Sequence, residues 1–454
     1  MTTQQSPARP IAAVILAAGK GTRMKSDLHK VLHPIAGRPM LLHLMASFAT
    51  LPPAKTVVVV GDKRDQVEAA VAASGALVAV QDPQLGTAHA ALQAKSALAG
   101  FDGLVLVCFG DCPMLTADTV RRLCAPLDTG ALVAVLGFRP SDTAAYGRII
   151  ADADGNVSKM VEHKDASPSE REVNLCNSGV IVAAAHDMWR LLEAVGNDNA
   201  AGEYYLPDVA TGAIAEGSRV AVVEADAQEV AGINSRAELA AAEAVWQEYK
   251  REEAMAGGAS LKAPDTVWFS WDTQLGRDVT IEPNVFFGPG VTVADNVNIR
   301  ANCHIEGTAI GTGCEVGPFA RLRPGTMLGE KAKIGNFVET KKAVLGKGAK
   351  ANHLTYLGDV TVGAGANIGA GTITCNYDGY FKYQTVIGEN AFIGSNSALI
   401  APVTIGRDAI VAAGSAVSRD VAPGDLRMVR AEQLVKPGWA DRFHDAMRKK
   451  KAGK

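Results

Sequence analysis

Two stretches of this 454-residue chain concentrate side chains whose types and spacing could do chemistry. The first runs Leu16-Ala17-Ala18-Gly19-Lys20-Gly21-Thr22-Arg23-Met24, with Lys30 six residues on. It follows an apolar run and reads as a strand entering a glycine-rich turn. It matches neither Gly-x-x-x-x-Gly-Lys-Ser/Thr nor Gly-x-Gly-x-x-Gly. A glycine turn after a first strand still offers backbone N–H groups to phosphates, and Arg23 and Lys30 place two cations within eight residues. A triphosphate that releases pyrophosphate needs such neutralisation. A tight strand-to-helix turn would call for the same glycines, so the turn alone leaves both readings open. The second stretch holds Arg323, Glu339, Lys341, His353, Tyr356, Asn367, Asn376, Tyr377 and Lys382. Its cations suit an anion, and His353 can accept a proton near neutral pH.

The elements that would position these residues change in kind along the chain. To about Asn234, short apolar runs alternate with amphipathic stretches. Ile11–Ala18, Thr56–Val60, Leu77–Val80, Leu104–Phe109, Leu132–Gly137 and Gly179–Ala183 read as buried strands. Met40–Ala49, Asp65–Ala73, Thr87–Leu98 and Ala117–Leu123 read as helices. Such alternation implies an α/β fold with a mostly parallel sheet covered on both faces. Ser235 to Met255 is rich in helix formers, with Ser235 and Glu238 spaced as a capping box and Gly257-Gly258 as its stop.

From there glycine thickens: residues 276–424 hold 23 of the 46. Ile281, Phe287, Val293, Ile299 and Ile305 stand six apart. So do Ile310, Val316, Leu322, Leu328 and Ile334, and again Ile387, Ile393, Leu399, Ile405, Val411 and Val417. This period is the mark of a parallel β-helix, in which each face of each coil contributes one inward aliphatic. The register breaks around Val338–Lys347 and Ile373–Val386, and such breaks map to loops on a binding face. A solenoid corner needs none of the polar residues found there. The expected domains are therefore 1–234, a linker helix over 235–258, and the β-helix over 259–454.

Composition narrows the function classes. A net charge of −3 and a pI near 6.3 argue against a general nucleic-acid binder. No apolar run approaches the roughly 20 residues that span a bilayer, and the N-terminal MTTQQSPARP lacks the pattern of a signal peptide. Seven cysteines without a pairing framework fit a reducing, cytoplasmic setting. Cys108 and Cys112 flank Asp111, but no second pair completes a zinc site.

The string Leu16-Ala-Ala-Gly-Lys-Gly-Thr-Arg-Met with Lys30-Val-Leu resembles the signature of the sugar-1-phosphate nucleotidylyltransferases. Gln81…Gln84-Leu-Gly-Thr87, Gly110-Asp111, Tyr146-Gly-Arg-Ile, Val161-Glu-His-Lys-Asp and Gly202-Glu-Tyr-Tyr-Leu follow in that family's order. Together with the hexapeptides, residues 10–440 resemble the bifunctional N-acetylglucosamine-1-phosphate uridylyltransferase and glucosamine-1-phosphate acetyltransferase family. The resemblance implies a Rossmann-like nucleotidyltransferase domain followed by a left-handed β-helix, and a homotrimer whose sites lie between neighbouring β-helices.

It also implies roles for particular residues. Leu16, Ala17, Ala18 and Gly19 would face uracil and ribose, Arg23 and Lys30 the phosphates of UTP. Gln81, Gly86 and Thr87 would read the base, with Phe109 and Gly110 beside them. Gly147, Glu162 and Asn177 would hold N-acetylglucosamine. Asp111 and Asn234 would bind Mg²⁺, a hard cation that takes oxygen ligands. In the β-helix, Arg323, Lys341, Tyr356, Asn367 and Lys382 would bind glucosamine-1-phosphate. His353 would be the general base, Asn376 would orient the reacting groups, and Glu339 would orient His353 or help the amine. Ala370, Asn376, Tyr377, Ser395, Ala413 and Arg430 would contact acetyl-CoA. Neither nucleic acid nor membrane is implied as a partner.

The chain departs from the family's pattern in three places: His29 stands where proline usual there would precede the lysine, Phe109 where tyrosine is frequent, and Ser178 where threonine is commoner. None removes a charge. A single-activity nucleotidylyltransferase with a structural or regulatory β-helix is the alternative, and a non-catalytic assembly protein a third. Arg323, Lys341, His353, Tyr356 and Asn376 argue against the one, and Arg23, Lys30 and Asp111 against the other. The tail from Ala440 carries six Lys/Arg after Asp441 and reads as a solvated, fraying end.

Overall fold

The computed structural model describes residues 9–51, 55–143, 146–199 and 201–453. Residues 1–8, on which the absence of a leader was read, lie outside these, as does Lys454 of the tail. The chain divides into two compact units, Met1–Lys250 and Arg251–Lys454.

The first unit is built on one sheet. Its strands are β1 (Ile11–Ala17), β2 (Thr56–Val60), β3 (Leu77–Val80), β4 (Leu104–Phe109), β5 (Val133–Phe138), β6 (Arg148–Ala151), β7 (Val157–Val161), β8 (Cys176–Ala184) and β9 (Val220–Glu224). The order along the sheet is β9-β5-β8-β4-β1-β2-β3, with the β6–β7 hairpin attached through β8. Pairings from β4 to β3 are parallel, as is β9 with β5, whereas β8 runs antiparallel to both β4 and β5. The apolar run of β1 has a simple cause. Ala12, Val14 and Leu16 enter the core on one face of the sheet, and Ile11, Ala13, Ile15 and Ala17 enter the core on the other.

The helices longer than four residues are α1 (Met40–Ser47), α2 (Arg64–Val71), α3 (Thr87–Leu92), α4 (Ala117–Asp128), α5 (Ala185–Ala194), α6 (Asp208–Ala215) and α7 (Arg236–Ala256). Helix α3 is shorter than its sequence suggested: past Leu92 the chain continues in single turns to Ala99. Ser235 and Glu238 cap α7 reciprocally. Ser235 N–H donates to Glu238 Oε2 at 2.8 Å, and Glu238 N–H to Ser235 Oγ at 3.3 Å.

The second unit is a parallel β-helix of the left-handed hexapeptide type. Its three faces are ladders of short strands. Ile281, Ile299, Val316 and Ile334 stack on the first face, Phe287, Ile305 and Leu322 on the second, Val293, Ile310 and Leu328 on the third. Every aliphatic of the six-residue pattern is buried.

The two register breaks differ in kind. Over Val338–Lys347 no residues are inserted. Thr340 takes the inward position below Leu357, and Glu339–Leu345 and Tyr356–Val362 are continuous seven-residue strands running round a corner. The Thr340 hydroxyl meets that of Thr326 at 2.9 Å, so the buried polar group is satisfied. Only Ile373–Val386 carries a true insertion, an ordered turn in which Asp378 Oδ1 accepts from Tyr380 and Phe381 N–H at 2.8 and 2.7 Å. Helix α8 (Trp439–Ala452) covers the stretch read as a fraying tail and is exposed throughout.

Candidate active sites

The carboxyl ends of β1, β3 and β4 open into a cleft of about 570 Å³, where parallel α/β sheets place ligands. Leu16, Ala17, Ala18, Gly19, Lys30, Gln81, Gly86, Thr87, Phe109, Asp111 and Asn234 all line it. Gly110 lies behind, its N–H donated to the Leu16 carbonyl at 3.0 Å. Gly21, in the left-handed conformation (φ 58°), turns the chain out of the loop into the short helix that carries Arg23. Arg23 is exposed and is not part of the cleft wall. Lys20, Gln84 and Glu203 line the cleft without having been given a role, and His29, which departs from the family's pattern, lines it beside them. Gln84 and Glu203 lie inside quoted strings, so their positions were legible. Lys20 lies inside such a string as well, and His29 stood out by replacing the usual proline.

At the cleft wall the Lys30 ammonium pairs with Asp111 Oδ2 and donates to Asn234 Oδ1 at 3.0 Å. A carboxylate and a carboxamide oxygen from distant parts of the chain thus already converge on one cation. Cys112 Sγ–H points at the other oxygen of Asp111 at 3.7 Å, and burial pushes its thiol well above the ordinary range. Gln81 is buried. Its amide donates to the Gly86 carbonyl at 2.9 Å, which leaves its own carbonyl oxygen for a ligand. The Thr87 hydroxyl accepts from Leu206 N–H at 2.9 Å and keeps its proton to donate.

Gly147, Glu162 and Asn177 do not line this cleft but form a group of their own. Asn177 N–H donates to the Gly147 carbonyl at 2.9 Å, and a Cβ on Gly147 would lie 3.2 Å from Glu162 Oε1. They meet where β8 bulges against β5, between Asn177 and Ile181. The Phe109 ring of the cleft covers Gly179 in that bulge so closely that a Cβ there would lie 2.4 Å from it. Burial, then the charges of Asp208 and Asp165, hold the Glu162 carboxyl above its ordinary range.

In the β-helix the expected residues fall on two edges of its second face. At the edge toward the third face, Lys341 and Lys382 touch. Lys382, and then Arg323, push the Lys341 ammonium below its ordinary range. The Lys382 ammonium lies 5.9 Å from the Tyr377 ring centre. Asn376 donates to Asp359 Oδ2 at 2.5 Å. Gly358 packs under the Tyr356 hydroxyl and Asn376, where a Cβ would lie 2.4 and 2.8 Å from them.

At the edge toward the first face stand His353, Ala370, Ser395 and Ala413. The rungs of this corner are joined by Gly371 N–H to the Leu354 carbonyl, Asn396 N–H to that of Ala370 and Gly414 N–H to that of Ser395. Arg430 donates to the Ala413 carbonyl at 3.1 Å. Glu339 and Tyr356 lie on the face between, in register with each other. Glu339 pairs with Arg323 at 2.8 Å, while His353 Nδ1 meets Asn336 Oδ1 at 2.9 Å. Asn336 carried no expectation from the sequence, and the register that sets it beside His353 is the only sign of it. Asn367 lies on the first face, paired with Lys350 and Phe392, away from the cation group.

His353 and Gly358 stand at the two ends of the second face, next to the corners where Leu354 (φ 49°) and Asp359 (φ 47°) turn the chain. Long side chains reach inward from both ends, so one sugar phosphate laid across the face can meet imidazole and ammonium groups together.

Comparison with known proteins agrees with both halves. Residues 13–204 match the MobA-like NTP transferase domain, residues 272–307 the bacterial transferase hexapeptide, and residues 384–419 the hexapeptide repeat of succinyl-transferase. The Bifunctional protein GlmU of Sphingopyxis alaskensis is 71% identical over 446 residues, spanning 98% of each chain. That of Novosphingobium aromaticivorans is 70% identical over 449 residues, 98% of this chain and 99% of the relative. That of Zymomonas mobilis is 55% identical over 446 residues, 97% and 99%.

Proposed function

This chain belongs to the GlmU family of bifunctional enzymes, and from that premise we propose how its residues divide the work. The enzyme transfers acetyl from acetyl-CoA to glucosamine-1-phosphate and then uridylyl from UTP to N-acetylglucosamine-1-phosphate, releasing pyrophosphate. We assign uridylyl transfer to residues 1–234, acetyl transfer to 259–454, and a linking role to 235–258.

The observation that carries the first assignment is the convergence of Lys30, Asp111 and Asn234 on one point of the cleft. The Leu16–Gly19 turn holds the nucleotide, with Gln81, Gly86 and Thr87 against the base and Phe109 and Gly110 beneath. Gly147, Glu162 and Asn177 hold the sugar. Its phosphate oxygen attacks the α-phosphorus of UTP in line, the bond to the β-phosphate bridging oxygen breaks, and pyrophosphate leaves. Arg23 and Lys30 neutralise the phosphates. Asp111 and Asn234 supply an oxygen-only donor pair already drawn around the Lys30 ammonium, which fits a hard divalent cation. Mg²⁺ held there supplies charge neutralisation and orients the leaving group. Positioning and electrostatics are sufficient, with no covalent enzyme intermediate.

In the second site Arg323, Lys341 and Lys382 hold the phosphate of glucosamine-1-phosphate, with Tyr356 and Asn367 on the sugar. His353 Nε2 takes a proton from the 2-amine as its nitrogen attacks the thioester carbonyl. Coenzyme A then leaves as its thiol. Asn376 orients the reacting groups, and Glu339 fixes Arg323. Ala370, Tyr377, Ser395, Ala413 and Arg430 line the path of acetyl-CoA.

One β-helix offers no second wall for so long a ligand, and Phe392 and Ile410 stand exposed in register on its first face. We therefore read the assembly as a homotrimer through this domain. Free thiols at all seven cysteines suit the cytoplasm, and no described helix is long and apolar enough to cross a membrane. The product would feed cell-wall and envelope polysaccharide synthesis.

The test is a paired assay of thiol release and pyrophosphate release on three proteins. His353→Ala should lose acetyl transfer and keep uridylyl transfer, and Asp111→Ala the reverse. Loss of both activities from either change in a folded protein would overturn the two-site assignment.

A further inference from the structure

We infer that Asn336 is the positioning residue of acetyl transfer, holding the His353 imidazole with Nε2 as its bare, proton-accepting nitrogen. The inference rests on the reading of His353 as the base. Asn336 and His353 end consecutive rungs of the first face and are partners in the strand register, so the backbone sets their side chains one above the other. The amide oxygen Oδ1 lies 2.9 Å from Nδ1.

A neutral imidazole carries one proton, and the ring nitrogen that donates it is chosen by its partner. A carbonyl oxygen can only accept. Nδ1 therefore carries the hydrogen, and Nε2 presents a lone pair. Without that contact an exposed imidazole is free to rotate and to exchange tautomers, and only part of the population could accept the proton. The backbone on each side of the pair is held as well. Phe337 and Leu354, the next residues, both adopt left-handed conformations (φ 56° and 49°), and Leu354 N–H donates to the Asn336 carbonyl at 3.0 Å. Bulky residues rarely accept such backbone, so the corner keeps it because the stacked coils impose it. The stacked Phe319 and Phe337 rings, 5.2 Å apart, close the same corner from below.

The charged groups nearby are otherwise spoken for or distant along the strand. Lys333, on the Asn336 strand, pairs with Glu315 at 3.2 Å. Glu339, past the corner, pairs with Arg323. Lys350 stands three residues before His353 on its own strand. His353 itself forms no ion pair among the described residues. A change of charge at position 336 therefore acts on the imidazole against a constant background.

The test uses the full-length protein and three variants, Asn336→Asp, Asn336→Ala and His353→Ala. Acetyl transfer is followed by thiol release between pH 5.5 and 9, and the thermal unfolding midpoint of the β-helix domain serves as the measure of folding. Asn336→Asp keeps the acceptor but makes it an anion, which favours the imidazolium. The acid limb of kcat/KM should move up by about one pH unit while the plateau is largely kept. Asn336→Ala should lower kcat about ten- to a hundredfold with little change in KM. A purely structural role would not move the pH limb. An Asn336→Asp profile that superimposes on the parent's, or an Asn336→Ala protein at full rate, would overturn the inference. Acetyl transfer surviving in His353→Ala would instead overturn the base assignment itself, and the two failures are thereby told apart.

Discussion

Lys30 Nζ lies 3.0 Å from Asn234 Oδ1, although 204 positions separate the two residues in the chain. The same ammonium pairs with Asp111, and both partners are largely shielded from solvent. The protein's own cation thus sits between the two oxygens assigned to the metal. A metal held by Asp111 and Asn234 would compete with the lysine for that place and leave the ammonium free to meet the phosphates.

Replacing that ammonium should favour the metal. Lys30→Met leaves Asp111 and Asn234 without a resident cation. Mn²⁺ binding without nucleotide, read by water proton relaxation, should tighten about fivefold, the equivalent of an ion pair worth ~1 kcal/mol. Uridylyl transfer should fall about 10²- to 10³-fold, because a phosphate-neutralising group is lost. Unchanged Mn²⁺ affinity would mean that the ammonium does not occupy the metal's place.

The cap of α7 should tune the same site. Glu238 Oε2 accepts from Asn234 N–H at 2.6 Å as well as from Ser235. Glu238→Ala removes both hydrogen bonds, at a cost of about 1 kcal/mol to the helix start. The Mg²⁺ concentration for half-maximal uridylyl transfer should rise about two- to fivefold, with acetyl transfer untouched. Glu238→Gln, which keeps an acceptor oxygen, should restore most of it.

Gly358→Ala should damage acetyl transfer by crowding alone. The added methyl would press on the Tyr356 hydroxyl and on Asn376. Both must shift by several tenths of an ångström, and displacements of that order cost about ten- to a hundredfold in rate. The stacked coils carry the stability of the domain, so its thermal midpoint should stay close to the parent's. Kinetics at parental rate would show that Tyr356 and Asn376 can move without consequence.

Glu162 predicts a pH dependence of stability. Burial and the neighbouring Asp208 and Asp165 raise its carboxyl above the ordinary range. The folded chain then binds more protons than the unfolded one between the ordinary and the raised values, so stability falls as pH rises through that window. Above it the full cost is present. Glu162→Gln should therefore raise the unfolding midpoint of the first domain by about 2 °C at pH 7.5, with the gain shrinking toward pH 4. Asp208 is raised in the same direction and keeps part of the slope. An equal gain at both pH values would assign the effect to packing instead.

The fold was legible where burial repeats. Ile11 to Ala17 had to be a central strand because both faces of the sheet demand apolar side chains. The hexapeptide aliphatics had to point inward because each coil returns every residue of a face to the same column. Asp111 could be placed at the ligand end because the last residues of parallel strands gather there. The period failed over Val338–Lys347 for a local reason. Thr340 is a polar residue satisfied from within the column, and the next inward strand residue in the ladder, Leu345, follows it after five positions rather than six.

Residue types and spacing along the chain were enough for the class of each domain, since the strand–helix alternation and the six-residue period depend on neighbours a few positions away. Tertiary structure alone decided who partners whom. It set Lys30 between Asp111 and Asn234, turned Glu339 to Arg323, and gave His353 to Asn336. Those choices depend on which strands lie adjacent and in what register. A shift of a single residue in that register would exchange the partners without altering the composition or the period that the sequence displays.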